Sequence, residues 1–306
     1  MPKLVKTDLE VSNVCFGGNV FGWTADQDQS FQLIDRFMDL GGNFIDTADV
    51  YSAWKEGNQG GESETIIGNY LKKSGKRNDL VIATKVAMLE TRKGLSAKNI
   101  ALACEDSLRR LQTDHIDIYF SHSDDLEVPL EETLGAFDKL VKEGKVRYIA
   151  ASNYTFDRLG EAMRISSENN FAEYIALQNR YSLVAREPYE SDGAKSVQEY
   201  NISGLPYSTL GSGFLSGKYV QGAPVDSQRA EGVTNNYAKD ENFELLTRLQ
   251  EIAQRHSVST TAVALEWLRM QPGVSVPLAS GRTIEQLNSL MENVSLSVEE
   301  ANFIAG

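Results

Sequence analysis

The chain is predicted to fold as a single (β/α)8 barrel, a TIM barrel, spanning residues 1–306. About eight short β-rich apolar runs alternate with longer amphipathic stretches from end to end. No linker or shift in composition interrupts the alternation. The 306 residues, 41% hydrophobic with only 7 Pro, supply the core that an α/β barrel of roughly 250 residues needs. Length alone would suggest two domains, but the unbroken periodicity argues for one unit.

The apolar runs fall at 14–16, 43–46, 80–84, 116–120, 146–151, 174–178, 201–206 and 273–278. Amphipathic stretches at 30–40, 63–73, 97–111, 130–143, 156–167 and 284–291 carry apolar residues near the i, i+3, i+4 spacing and read as helices. A helix after each strand makes the sheet parallel, because each crossover covers a sheet face that would otherwise meet water. Ahead of the first strand, residues 4–7 and 9–12 alternate apolar and polar around Asp8, and read as a β-hairpin plugging the lower mouth of the barrel. Two irregular segments, 52–62 and 211–236, are rich in Gly, Ser and Asn. Loops of that length in a compact enzyme are more often functional than idle.

Charge and composition narrow the function. The chain carries 43 Asp and Glu against 30 Lys and Arg, a net charge of −13. That field repels nucleic acid and anionic membrane surfaces, so neither is expected as a partner. No stretch approaches 18 uncharged apolar residues and the start lacks an apolar leader, so a cytoplasmic location is expected. Cys15 and Cys104 form no CxxC pair and suit buried thiols in a reducing compartment. With three His in the chain and no His-x-His, no metal is expected, although His122-Ser-Asp124-Asp125 superficially resembles a ligand cluster.

Barrel enzymes build their sites at the carboxyl ends of the strands. Read in that way, the runs end on Asp46 (with Tyr51 just beyond), Lys85, His122, Ser152-Asn153, Gln178, Tyr207-Ser208 and Ser280. Closure of the barrel would gather these scattered positions at one mouth. A phenol is a weak acid at neutral pH, but an ammonium beside it favours the phenolate, and Lys85 is expected to lower the Tyr51 pKa in this way. Asp46 is the counter-charge that keeps the lysine protonated, and His122 can direct a hydrogen bond at a carbonyl oxygen. A proton donor and a polariser without a protein nucleophile suit carbonyl reduction, with a cofactor supplying hydride. A strand-end lysine also suits a Schiff-base aldolase, against which Tyr51 argues.

These residues sit in recognisable words: Gly41-Gly-Asn-Phe-Ile-Asp-Thr-Ala-Asp-Val-Tyr51, Gly61-Glu-Ser-Glu-Thr-Ile-Ile-Gly68, Ile82-Ala-Thr-Lys85 and Gly144-Lys-Val-Arg-Tyr-Ile-Ala-Ala-Ser-Asn153. The chain resembles the aldo-keto reductase superfamily over essentially its whole length. The resemblance implies reversible reduction of small-molecule aldehydes and ketones by NADPH, with NADH the alternative coenzyme, and a catalytic tetrad of Asp46, Tyr51, Lys85 and His122. It implies that Ser152, Asn153 and Gln178 hold the nicotinamide carboxamide and that Tyr207 stacks on the ring. It gives the pyrophosphate to Ser208, Leu210, Gly211, Ser212, Gly213 and Lys218, and the adenosine end to Ser280, Arg282 and Gln286. The Arg is the expected partner of a 2′-phosphate. Where many members have Glu-Asn for adenine, this chain has Ser289-Leu290. Trp23 and Trp54, in the loops after the first and second strands, are expected to touch substrate. The same family includes potassium channel β subunits, so a coenzyme-binding regulatory or sensor barrel is the alternative function.

Overall fold

The computed structural model describes residues 1–223, 225 and 230–306. Eight parallel strands run β1 (Cys15–Gly17), β2 (Phe44–Asp46), β3 (Val81–Val86), β4 (Ile116–Ser121), β5 (Val146–Ser152), β6 (Tyr174–Gln178), β7 (Ser203–Gly204) and β8 (Leu278–Ala279), in the sheet order β7-β6-β5-β4-β3-β2-β1-β8. The two edge strands meet: Gly204 bridges Val274, and the Leu278 amide donates to the Pro206 carbonyl at 2.8 Å. This is the (β/α)8 barrel expected from the alternation. Its first six helices are α1 (Gln27–Asp39), α2 (Glu62–Ser74), α3 (Ala97–Leu111), α4 (Leu130–Lys142), α5 (Phe156–Asn169) and α6 (Ala194–Glu199). They are followed by α7 (Ala230–Tyr237), α8 (Asp240–His256), α9 (Thr260–Arg269), α10 (Ile284–Met291) and α11 (Val298–Ala305).

Side chains alternate between two cores because the strand period is two. Cys15, Phe44, Ala83, Ile118, Phe120 and Ala150 fill the inside of the barrel, whereas Phe16, Ile45, Ile82, Tyr119 and Ile149 pack outward under the helices. The same period carries Asp46, Lys85, His122 and Ser152 inward at the upper end, each two residues beyond an inner-core side chain.

Three expectations are corrected. The hairpin does not form as two strands. Lys3 and Glu10 make one antiparallel bridge, and Leu4, Leu9 and Val11 pack into the inner core. The run 201–206 is strand only at Ser203–Gly204, and 273–278 contributes only Leu278, because Pro206 and Pro277 have no N–H for a ladder. Segment 211–236 is not irregular throughout. It opens with a 3-10 turn at Gly211–Ser216 and ends in α7, while 224 and 226–229 lie outside the described residues.

Candidate active site

At the carboxyl end of the barrel, Asp46 and Lys85 are fully buried and side by side, Lys85 Nζ lying 2.6 Å from Asp46 Oδ2. The lysine also donates to the Thr47 carbonyl at 2.8 Å and to Tyr51 Oη at 2.9 Å. Tyr51 Oη in turn donates to Asp46 Oδ2 at 2.9 Å. The second Asp46 oxygen accepts from Gln178 Nε2 at 3.0 Å. Every hydrogen of the ammonium therefore has a partner, which is the condition for burying such a charge.

Burial, then the Asp46 carboxylate, holds the Tyr51 phenol well above the usual tyrosine range. The expected lowering by Lys85 is thus reversed: the carboxylate lies as close to Oη as the ammonium does, and burial adds to its effect. Burial pulls the Lys85 ammonium down, with Asp46 opposing it. His122 is kept neutral by burial and by the Lys85 charge. Its Nδ1 is buried without a hydrogen-bond partner, so Nε2 is the nitrogen left to serve the cavity.

A cavity of about 660 Å³ opens above this cluster. Tyr51 and His122 form part of its floor, and Trp23 and Trp54 stand on one side in an edge-to-face pair with ring centroids 5.6 Å apart. Ser152, Asn153, Gln178, Tyr207, Ser208, Leu210, Ser212, Gly213 and Lys218 line it next, and Ser280, Arg282 and Gln286 line the far end. Asp46 and Lys85 lie beneath the lining, and Gly211 is buried behind it.

The arc is tied together by its own polar groups. Asn153 donates from Nδ2 to the His122 carbonyl at 2.9 Å, and its Oδ1 accepts from Tyr207 Oη at 2.9 Å. Ser152 Oγ donates to the Gln178 carbonyl. Gln286 Oε1 accepts from the Arg282 amide at 2.9 Å, closing the loop at the start of α10. Ser212 and Gly213 both have positive φ, 56° and 100°. A Cβ on Gly213 would meet only Lys218 Nζ, at an ordinary contact distance of 3.6 Å, so it is the φ of 100° that favours glycine there.

Lining residues that sequence reasoning missed include Asn19, Thr24 and Met88, together with Ser259 and Thr261 at the start of α9. Asn19 follows β1, and its Oδ1 accepts from Ser280 Oγ at 2.6 Å, a strand-end position that could have been read as the others were. Ser259 and Thr261 lie in a stretch with no strand-end signal.

A profile of the aldo/keto reductase family matches residues 13–305. An uncharacterized oxidoreductase, YrpG, of Bacillus subtilis is 31% identical over 97% of this chain and 91% of its own length. The aryl-alcohol dehydrogenase GME11368 of Pestalotiopsis microspora is 29% identical over 95% of this chain and 76% of its own. A probable voltage-gated potassium channel subunit beta of rice (Oryza sativa subsp. japonica) is 30% identical over 95% and 89%. No helix among the described residues is long and apolar enough to cross a membrane. With the family profile spanning nearly all of a barrel whose strand ends carry this cluster, the chain belongs to the aldo/keto reductase family, a family of oxidoreductases.

Proposed function

We propose that residues 1–306 act as one NADP(H)-dependent carbonyl reductase unit. It would convert aldehydes and ketones reversibly to alcohols, with Tyr51 as the proton donor. The observation that carries this reading is the closed Asp46–Lys85–Tyr51 cluster beneath an open cavity.

The residues present fit an extended dinucleotide. Ser152, Asn153, Gln178 and Tyr207 would hold its nicotinamide end. The left-handed backbone at Ser212 and Gly213, the bare Cα of Gly213 and the Lys218 ammonium suit a pyrophosphate. Arg282 at the far end offers a planar, permanently charged partner for a 2′-phosphate and so favours NADP(H) over NAD(H). A reduced nicotinamide held by these residues would supply the hydride that the carbonyl carbon takes up.

Tyr51 holds the proton that the carbonyl oxygen needs, and its raised pKa keeps that proton in place until charge develops on substrate. To transfer it, the O–H turns from Asp46 to the cavity. Lys85 Nζ then donates to the phenolate oxygen as it forms, a charge-assisted bond that lowers the cost of the transfer. Asp46 holds Lys85 in place, and Gln178 fixes the carboxylate from its other side. His122 Nε2, neutral and able to donate, directs the carbonyl oxygen toward Tyr51. Trp23, Trp54 and Met88 give the substrate end an apolar, largely aromatic wall, which suits planar uncharged carbonyls. The name of the aryl-alcohol dehydrogenase relative supports the same class.

The test is NADPH or NADH oxidation followed by absorbance with an aromatic aldehyde, for the native chain and Tyr51→Phe. The substitution should lower turnover about 10³-fold while coenzyme binding, read by fluorescence, is unchanged. Equal turnover in both proteins would overturn the mechanism. The rice channel-subunit relative supports a regulatory barrel as the second reading. Tight coenzyme retention with negligible turnover would favour it.

A further inference from the structure

One buried carboxamide beside the arc formed by Asn153 and Tyr207 has no part in the mechanism above. Asn179 follows Gln178 at the end of β6. It is 8% exposed and is not part of the cavity lining. All of its polar groups are nevertheless directed at residues that do line the cavity, or at their neighbours in the chain.

Strands β5 and β6 stay in register as far as the pair Ser152 and Gln178. There Asn153 turns left-handed, with φ 59°, and the backbone ladder stops. The Asn179 side chain takes the place of the next peptide unit: its Oδ1 accepts from the Asn153 amide at 2.9 Å, and its Nδ2 donates to the Tyr154 carbonyl at 3.2 Å. Without it the Asn153 amide would keep only the Gln178 carbonyl, at 3.2 Å. A left-handed residue other than glycine persists where its surroundings over-determine it, and these two bonds supply that constraint. On its other side the Asn179 carbonyl accepts from the Tyr207 amide at 3.0 Å. Asn179 thus grips two residues that also grip each other, since Tyr207 Oη donates to Asn153 Oδ1 at 2.9 Å. Asn153 Nδ2 carries the ring of bonds on to the His122 carbonyl.

We propose that Asn179 is a positioning residue for the nicotinamide half of the coenzyme: by holding the Asn153 turn, it fixes where Asn153 and Tyr207 stand at that end of the cavity. The proposal rests on the coenzyme reading given above. Loss of the carboxamide frees the turn and lets the Asn153–Tyr207 pair drift, so a ring held there is aimed less well at a carbonyl carbon. Arg282, at the far end of the cavity, shares no bond with Asn179, and contacts made there are expected to be indifferent to the change.

Fluorescence titrations of the native chain, Asn179→Ala and Asn179→Asp with two probes test this. NADPH spans the whole cavity on this reading, whereas adenosine 2′,5′-bisphosphate has no nicotinamide. Asn179→Ala should weaken NADPH about tenfold, as for one lost hydrogen bond, and leave the bisphosphate within about twofold. With saturating NADPH, kcat should also fall about tenfold. Asn179→Asp keeps the acceptor for the Asn153 amide and should fall between the two, and it serves as the test should the alanine variant fail to fold. In the coenzyme-free protein the Asn153 amide should exchange its hydrogen about tenfold faster in Asn179→Ala. Equal losses for both probes would overturn the proposal, as would lowered thermal stability with NADPH affinity unchanged. Unchanged exchange at Asn153 would overturn it whether or not coenzyme binds. A native chain that bound neither NADPH nor NADH would sink the coenzyme reading, and the exchange rates would still decide whether Asn179 holds the turn.

Discussion

Two parts of the same cavity are built on opposite principles. The end that holds Tyr51 is made of side chains over a buried base: Asp46 and Lys85 have no exposure, and Asp46, Tyr51, Lys85 and Gln178 are joined by hydrogen bonds of 2.6 to 3.0 Å. The arc from Tyr207 to Gln286 is open and shaped largely by backbone, with positive φ at Ser208, Gly211, Ser212 and Gly213. On the reductase reading, a preorganised polar cluster stabilises charge as it develops and would govern the chemical step. A backbone-shaped trough offers close approach and donors and, on the same reading, would govern coenzyme affinity. Substitutions should therefore separate into effects on kcat and effects on binding.

The largest expected effect tests the buried base. Asp46→Asn removes the counter-charge from a fully buried ammonium and leaves the partners of both Asp46 oxygens facing an amide. An uncompensated buried charge costs about 3–5 kcal/mol, so denaturant unfolding should move by that amount. Turnover should fall at least about 10²-fold along with it. Coenzyme affinity should stay within about twofold, because Asp46 lies beneath the cavity lining. A variant of native stability would show that Lys85 is already neutral in the native chain.

The division between the two regions mirrors what the sequence discloses. Residues 97–111 and 284–291 were legible as helices to the residue, because their apolar stripes are regular and Ser96 and Thr283 cap them. Helices α8 and α9 were not. In α8 a narrow stripe of Leu245, Leu246, Leu249, Ile252 and Ala253 runs through an otherwise charged segment. In α9 seven of ten residues are buried, which removes the contrast that marks a period. The strand-end positions were readable because strand parity alone carries Asp46, Lys85 and His122 inward. What parity cannot report is burial. The reversed shift of Tyr51, the Gln178–Asp46 bond and the unpaired Asp49 carboxyl all depend on what covers a group and how many neighbours compete for it.

A smaller effect sharpens the comparison at the open end. Arg282→Ala should weaken NADPH binding about tenfold, the value of one exposed charge-assisted contact, and leave NADH binding nearly unchanged. With saturating coenzyme, kcat should be that of the native chain. Titration of intrinsic fluorescence with each coenzyme reads this directly. Equal losses for both would mean that the Arg282 side chain meets a part that the two coenzymes share and does not read the 2′-phosphate, since the backbone bonds of residue 282 to Gln286 and Gln29 persist in the alanine variant.

The smallest effect is expected at Trp54, which belongs to neither principle. It is 49% exposed and rests edge-on against Trp23 and Tyr51, with centroids 5.6 and 6.1 Å away, so it neither seals the charge cluster nor shapes the arc. Trp54→Ala removes one aromatic wall from the substrate end. An aromatic contact of that kind contributes about 1 kcal/mol, which corresponds to roughly a fivefold rise in KM for an aromatic aldehyde. Because Tyr51 keeps its bonds to Asp46 and Lys85, kcat should hold, and because Trp54 is not among the residues proposed to hold the coenzyme, coenzyme affinity should hold too. A fall in kcat without a rise in KM would instead make Trp54 a support for the Tyr51 ring, and would move it from the substrate wall into the end that holds Tyr51.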